Sequence, residues 1–108
     1  MSFNIIATPK FKRELKRLTK KFQSLKNEYA ELILELENNP VYGTPLGNNC
    51  YKIRLSIASK NKGKSGGARV ITYVVVKDTT VFLMYIYDKS EQSDISDSDL
   101  LQMIKEVE

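Results

Sequence analysis

The chain has 108 residues, of which 42% are hydrophobic and 9% aromatic, enough for one packed domain over residues 1–108 and little more. It has a formal net charge of +4, no histidine and one cysteine, Cys50, which excludes Ser-His and Cys-His nucleophile pairs, histidine metal sites, intramolecular disulfides and cysteine-rich zinc sites. Chemistry near pH 7 must therefore use Lys, Arg, Tyr, carboxylates, hydroxyls or the single thiol, and we expect no metal or cofactor.

The first part of the chain is predicted to form a strand followed by a helical hairpin. Residues 3–7 are a short apolar run, and Thr8 with Pro9 supplies an N-cap and a proline suited to the first helical position. Apolar residues then recur at helical spacing, first at Phe11, Leu15, Leu18, Phe22 and Leu25, and then at Tyr29, Leu32, Ile33 and Leu36. A break is expected within residues 19–24, and Pro40 stops the second helix, which predicts two antiparallel helices.

Three strands and a last helix are predicted after a loop over residues 41–49. Residues 50–57 alternate, with one face formed by Tyr51, Ile53, Leu55 and Ile57, and the other by Lys52, Arg54 and Ser56. A glycine-rich basic connector over 58–68 leads to a β-branched strand over 69–77, a turn at 78–79 and a strand over 80–88. Ser96 is the expected N-cap of a helix that continues to residue 107.

This order of elements, β-α-α-β-β-β-α, indicates an α+β fold. The prediction is a small, mostly antiparallel twisted β-sheet that the N-terminal helical hairpin covers on one face. A C-terminal helix completes the domain, and the second sheet face is expected to stay at least partly open.

Basic and aromatic residues are predicted to gather on that open face. The polar positions Lys52 and Arg54 share one face of their strand, and Arg69 opens the next strand. The last strand presents Tyr85, Tyr87 and Lys89 at period two, and the connector adds Lys60, Lys62 and Lys64. Such a surface suits RNA, because cations meet phosphates and rings stack on unpaired bases. The pattern alone also allows an ordinary solvated sheet face, with Tyr85 or Tyr87 in the core.

Charge is distributed unevenly along the chain. Residues 10–26 hold eight basic residues and one acid, residues 52–69 hold six basic residues and no acid, and residues 88–108 hold seven acids and two basic residues. Because like charges repel, such clusters indicate either a solvated face or a binding partner.

No segment is expected to enter a membrane. The longest apolar runs, such as residues 81–86, are of strand length, far short of the roughly 20 residues that a spanning helix needs. The N-terminal residues lack a basic region followed by an apolar stretch, so no signal peptide is expected. A lone cysteine fits a reducing compartment, and we expect a cytoplasmic protein.

Three segments carry a likeness to a known family: YKIR at 51–54, KGKSGGARVITY at 62–73 and FLMYIYDKSEQSDIS at 82–96. Together with the order of elements, they resemble the RelE/HigB-like toxins of bacterial type II toxin–antitoxin systems, within the RelE/ParE superfamily. The likeness covers nearly the whole chain and is strongest to the HigB-like branch, which has the long Lys/Gly loop before the arginine strand. It implies a microbial-RNase-like fold.

The resemblance implies a metal-independent endoribonuclease that binds in the ribosomal A site, cuts mRNA there and inhibits translation. Attack by the neighbouring 2′-OH builds negative charge on phosphorus, which Arg and Lys stabilise while an acid and a base move protons. Carried over by position, Arg69 is expected to bind the scissile phosphate with support from Arg54. Proton transfer falls to Lys52 or Lys89.

One position departs from the family pattern. The C-terminal catalytic tyrosine of RelE-type toxins falls near Ile95, which cannot do acid/base work, so Tyr87 or a lysine must substitute for it. Family members that use histidines and a carboxylate have no counterpart in this histidine-free chain.

The resemblance also implies partners, namely the ribosome, mRNA and a cognate antitoxin that we expect to be of the helix-turn-helix type. Either an acidic antitoxin segment or ribosomal RNA could neutralise residues 10–26. Two other functions stay open: a ParE-like inhibitor of DNA gyrase, and a catalytically inactive member that binds RNA or antitoxin. ParE-like toxins generally lack the cationic set, so the presence of Lys52, Arg54, Arg69 and Lys89 favours the nuclease.

Overall fold

In the computed structural model, which describes residues 2–60 and 66–108, the chain forms an α+β fold with a sheet and three helices. The strands are β1 (Asn4–Ala7), β2 (Thr44–Gly47), β3 (Cys50–Leu55), β4 (Ala68–Val75) and β5 (Thr80–Asp88). The helices are α1 (Pro9–Lys21), α2 (Leu25–Asn38) and α3 (Asp97–Val107). The predicted fold class is confirmed.

The helices begin and end where the sequence predicts. The Thr8 hydroxyl accepts a hydrogen bond from the backbone N–H of Phe11 at 3.2 Å, and Ser96 caps α3 through the N–H of Asp99 at 3.1 Å. Helix α2 ends at Asn38, two residues before Pro40, since proline cannot continue a helix. Among the described residues no helix is both long and apolar enough to span a bilayer.

The five strands form one mixed sheet in the order β1-β5-β4-β3-β2. Strands β2 to β5 pair antiparallel and β1 pairs parallel to β5, so the sheet is mostly antiparallel, as predicted, with one parallel edge. The chain between Ala7 and Thr80, which includes the helical hairpin and three strands, supplies the long connection that a parallel pair requires.

Strand β2 lies within residues that the sequence predicts as a loop, and it pairs with β3 at one edge of the sheet. Asn48 and Asn49 adopt left-handed φ angles of 55° and 63°, the conformation that closes a tight hairpin turn. Pro45 has no N–H to donate to a neighbouring strand, and an edge strand tolerates this because one of its sides is unpaired. The predicted loop therefore contains a short edge strand and the turn that joins it to β3.

Two apolar clusters pack on opposite faces of the sheet. The hairpin side joins helix residues Phe11, Leu18, Leu25, Leu32 and Leu36 to strand residues Ile53, Val70, Val74, Val81, Leu83 and Ile86. The second side joins Leu100, Met103 and Ile104 of α3 to Cys50, Ile71, Met84 and Tyr87. Helix α3 thus covers part of the second face of the sheet. Lys52 and Arg54 lie on the same face, outside the cluster under α3, and keep contact with solvent.

A β-bulge in β5 sets which way its aromatic residues point. Between the pairs Thr72–Leu83 and Ile71–Tyr85, Met84 is an extra residue without a partner, so the alternation slips by one. Leu83 and Ile86 therefore face the hairpin, while Tyr85 and Tyr87 face the α3 side.

Candidate active site

The predicted site residues form two rows across the α3 side of the sheet. Arg54 of β3 pairs with Arg69 of β4, which in turn pairs with Tyr87 of β5. The next row joins Lys52 to Tyr85 through Ile71. Residues directly opposite each other in an antiparallel sheet share a face, so the structure brings these side chains together as predicted.

The two arginines of the first row differ in depth. Arg54 is exposed and makes no hydrogen bond or ion pair to the described residues. The Arg69 side chain lies deeper, since the residue is only 5% exposed and its Nη1 donates to the Ala68 carbonyl oxygen at 3.1 Å. Like charges directly opposite in a sheet are destabilising by a few tenths to about 1 kcal/mol. A cost of this kind is expected where a site needs concentrated positive charge.

Tyr87 lies beneath this surface. Its hydroxyl is buried and finds no hydrogen-bond partner among the described residues. Burial raises the pKa of this phenol, and the charge of Asp94 raises it further while Arg69 acts in the opposite direction. Tyr87 is therefore a neutral hydrogen-bond donor at pH 7, better suited to giving a proton than to taking one.

The segment after β5 adds a carboxylate to the site. Asp94 accepts from the backbone N–H of Ile95 at 2.8 Å and pairs with the Lys52 ammonium at 3.2 Å. These two contacts, the backbone bond first, lower the pKa of Asp94, so it stays ionised. Lys89 lies beside it, with its Nζ donating to the Ser93 carbonyl oxygen at 2.6 Å.

Tyr85 is only partly available as a stacking surface. Its hydroxyl donates to Gln92 at 3.0 Å, and the Lys10 ammonium lies 5.3 Å from its ring centroid. Its ring is 5.8 Å from that of Tyr87. The ring of Tyr85 is therefore already contacted by a cation of α1.

Lys60 does not join the predicted RNA surface. Its side chain is 8% exposed, packs over the Phe22 ring and donates to the buried carboxylate of Asp88. Asp88 points toward the helical hairpin, because it alternates with the site residue Tyr87. The prediction for Lys62 and Lys64 falls outside the described residues.

Ile95, the residue expected near the position of the family tyrosine, packs against the apolar cluster under α3. No group of three or more His, Cys, Asp and Glu side chains in the described part of the chain could hold a metal ion. A cleft of about 380 Å³ between Arg54 and the glutamates of α2 borders the site on the hairpin side. Of the two rows, Arg54, Lys52 and Tyr85 keep contact with solvent, whereas Arg69, Ile71 and Tyr87 are buried.

Sequence reasoning missed the roles of Asp94, Lys10 and Asp88. The first two reach the site from a loop and from a helix, and only tertiary packing brings them there. Asp88 carried a signal, since an acid that alternates with a site residue on a β-strand must point into the opposite, buried face.

Comparison with known proteins places these observations in a family. A family model described as the RelE toxin of the RelE/RelB toxin–antitoxin system matches residues 9–107. An arginine-to-alanine double mutant of E. coli toxin RelE in the free state has a TM-score of 0.63 at 17% identity, covering 86% of this chain and 90% of that one. The intact E. coli RelBE toxin–antitoxin complex gives a TM-score of 0.62 at 17% identity, covering 81% of this chain and 96% of that one.

The isolated E. coli RelE toxin is similar as well, with a TM-score of 0.58 at 18% identity, covering 95% of this chain and 99% of that one. At such identities these structures show a shared fold. The family match is independent of them and spans most of the sequence. The chain therefore belongs to the RelE family, the toxins of RelE/RelB toxin–antitoxin systems.

Proposed function

We propose that this toxin is a ribosome-dependent mRNA endoribonuclease that inhibits translation. The observation that carries the proposal is the opposed pair Arg54 and Arg69, flanked by Lys52 and Lys89 at one end of the α3 side of the sheet. This concentration of cations is unfavourable for the fold alone and favourable for a phosphate that gains negative charge. Family membership supports the same activity.

In the proposed reaction the ribose 2′-oxygen attacks the adjacent phosphorus. The 2′-OH proton passes to a base, the new P–O bond forms a five-coordinate phosphorus, and the bond to the 5′-oxygen breaks as an acid protonates that oxygen. The products are a 2′,3′-cyclic phosphate and a 5′-hydroxyl end. Every atom and proton is supplied by RNA and side chains, so the step needs no metal.

The geometry suggests a role for each side chain. Arg54, the exposed arginine, meets the scissile phosphate, and the deeper Arg69 supports it from below. The sequence prediction gave these two arginines the opposite roles, and the proposal reverses them because Arg69 is buried.

Proton transfer is assigned to Lys52 and Asp94, whose Nζ and Oδ1 atoms are 3.2 Å apart. The Asp94 carboxylate accepts the 2′-OH proton, and the Lys52 ammonium donates to the leaving oxygen. Lys89 adds a hydrogen-bond donor beside the developing charge, and the neutral Tyr87 lies beneath it with its hydroxyl buried.

The test is cleavage of a defined mRNA by purified protein, with and without ribosomes. We expect fragments only when the message is bound to ribosomes, and 5′-hydroxyl downstream ends. Lys77→Gln is the matched charge control, because Lys77 is exposed in the turn before β5, outside the two rows of the site. Intact mRNA with ribosomes present would refute the proposal.

Two further assays, of gyrase-dependent DNA breaks and of growth after induction, distinguish the two other functions. DNA breaks that depend on gyrase, without mRNA cleavage, would indicate a ParE-like toxin. Growth that continues after induction, together with intact antitoxin binding, would indicate an inactive member of the family.

We also propose a cognate antitoxin, of the helix-turn-helix type, as the protein partner. The similar E. coli RelE is known in a RelBE toxin–antitoxin complex, which supports such a partner here. Co-expression with its cognate antitoxin should yield a stable complex and restore growth. A ribosomal target places the action of the toxin in the cytoplasm.

A further inference from the structure

Asp88, at the end of β5, carries a carboxylate that none of the proposed chemical steps uses. The residue is 0% exposed, and its oxygens accept from the ammonium groups of Lys60 and Lys21. They also accept from the backbone N–H and the hydroxyl of Ser90, at 3.0 and 2.7 Å. Burial opposes ionisation, but these hydrogen bonds outweigh it and hold the pKa of Asp88 well below its usual value. A buried carboxylate thus lies on the hairpin side of the sheet, opposite the face that carries the site.

The cations that hold this anion come from two different segments. Lys21 is in the last turn of α1, and Lys60 ends the short helical turn Ala58–Lys60. That turn is also fixed to the hairpin, because Ser24 and Ser59 exchange hydrogen bonds. The Asp88 carboxylate is therefore bound by α1 and by the turn at residues 58–60, neither of which contributes a residue to the proposed site.

Asp88 in turn fixes the chain that follows it. Its main-chain carbonyl oxygen accepts from the N–H groups of Glu91 and Gln92 at 2.9 and 3.0 Å, which closes a tight turn around Lys89. The Lys89 N–H donates to the Gly67 carbonyl oxygen at 3.0 Å. The bonds from Ser90 complete this turn, and the chain beyond it contacts Tyr85 through Gln92.

We propose that Asp88 is the positioning residue of the cleavage site. By accepting from Ser90 it fixes the turn over residues 88–92, and so places Lys89 and the start of the segment that carries Asp94. Lys60 and Lys21 hold the carboxylate in place, which gives Lys60 a structural task instead of an RNA contact. The inference rests on the proposed function, because it assigns a role in that cleavage.

A pair of double variants separates positioning from stability. Both carry Lys60→Met, since removal of Asp88 alone would leave the Lys60 charge buried without its carboxylate. Asp88→Asn with Lys60→Met keeps an acceptor oxygen for Ser90, whereas Asp88→Ala with Lys60→Met removes it. Neither leaves a buried unpaired charge, so their thermal midpoints should be similar.

Two measurements are made on both variants and on the wild-type protein. In single-turnover cleavage of ribosome-bound mRNA, we expect the alanine variant to be roughly 10- to 100-fold slower than the asparagine variant, as misplacement by about 1 Å can cause. The toxin concentration at half-maximal rate should be the same for both. Amide hydrogen exchange at Ser90 should be faster in the alanine variant.

Equal cleavage rates for the two variants, or rates that simply follow their thermal midpoints, would overturn the inference. Failure of the wild-type protein to cut would instead overturn the proposed function. In that case hydrogen exchange still tests whether Asp88 fixes the turn over residues 88–92: faster exchange at Ser90 in the alanine variant supports this, and unchanged exchange overturns it.

Discussion

Arg54→Gln should affect cleavage and stability in opposite directions. The substitution keeps much of the side chain but removes the charge that lies opposite Arg69. Losing one preorganised donor to a developing oxyanion costs about 3 kcal/mol in the transition state, or roughly 10²- to 10³-fold in rate. Relief of the cross-strand repulsion should stabilise the fold by about 0.5 kcal/mol. In a domain of this size that is a rise of about 2 °C in the thermal midpoint.

The assay combines single-turnover cleavage of ribosome-bound mRNA with thermal unfolding followed by circular dichroism. Lys77→Gln removes the same charge from an exposed turn, and should change neither quantity appreciably. A normal cleavage rate for Arg54→Gln would refute the phosphate role. A fall in the thermal midpoint would refute the claim that the arginine pair is unfavourable for the fold.

Three further results are expected. Asp94→Asn should slow cleavage by about 10²-fold without changing the thermal midpoint, because its side chain is 65% exposed and its role is to accept a proton; an unchanged rate would show that another group is the base. The free energy of unfolding should be level between pH 5 and 7 and should fall as the pH drops below about 4. The reason is that the pKa of Asp88 is lowered in the folded state, so the unfolded chain takes up a proton at this residue more readily. Urea titrations should show a weaker fall in the Asp88→Asn/Lys60→Met variant, and an equally steep fall would assign the effect to other carboxylates. Burial raises the pKa of the Cys50 thiol to about 11. At pH 8 the folded protein should therefore be alkylated at least about 100-fold more slowly than the unfolded protein. Rapid labelling of the folded protein would show that the thiol is accessible.

The helices and the three long strands follow from periodicity and capping, which are local properties of the sequence. Thr8, Pro9 and Ser96 mark helix starts through hydrogen bonds that span three residues, and the structure confirms them. The apolar spacing of the hairpin likewise identifies the residues that reach the core.

What the sequence could not predict depends on how distant segments meet. The parallel pairing of β1 with β5 joins residues more than 70 positions apart, and no local pattern encodes it. The bulge at Met84 shifts the alternation of β5, which is why the faces of Tyr85 and Tyr87 could not be read from period two alone.

The candidate site was predictable where strands alone define it. Lys52, Arg54 and Arg69 lie on one face because β3 and β4 are regular neighbours. The basic character of Lys60 suggested an RNA contact, whereas its neighbour in space is the buried Asp88, 28 residues away along the chain. Burial and ion pairing decide the role of such a lysine, and both are tertiary properties.

The central claim, cleavage of ribosome-bound mRNA through 2′-OH attack at the basic end of the sheet, is tested most directly with a modified message. The cut site is first mapped on an all-ribose mRNA, and the same message is then prepared with one 2′-deoxynucleotide on the 5′ side of the cut bond. We expect the all-ribose message to be cut, with a 5′-hydroxyl on the downstream fragment, and the substituted message to stay intact at that position. Cleavage of the substituted message at the same bond, or an intact all-ribose message, would contradict the claim.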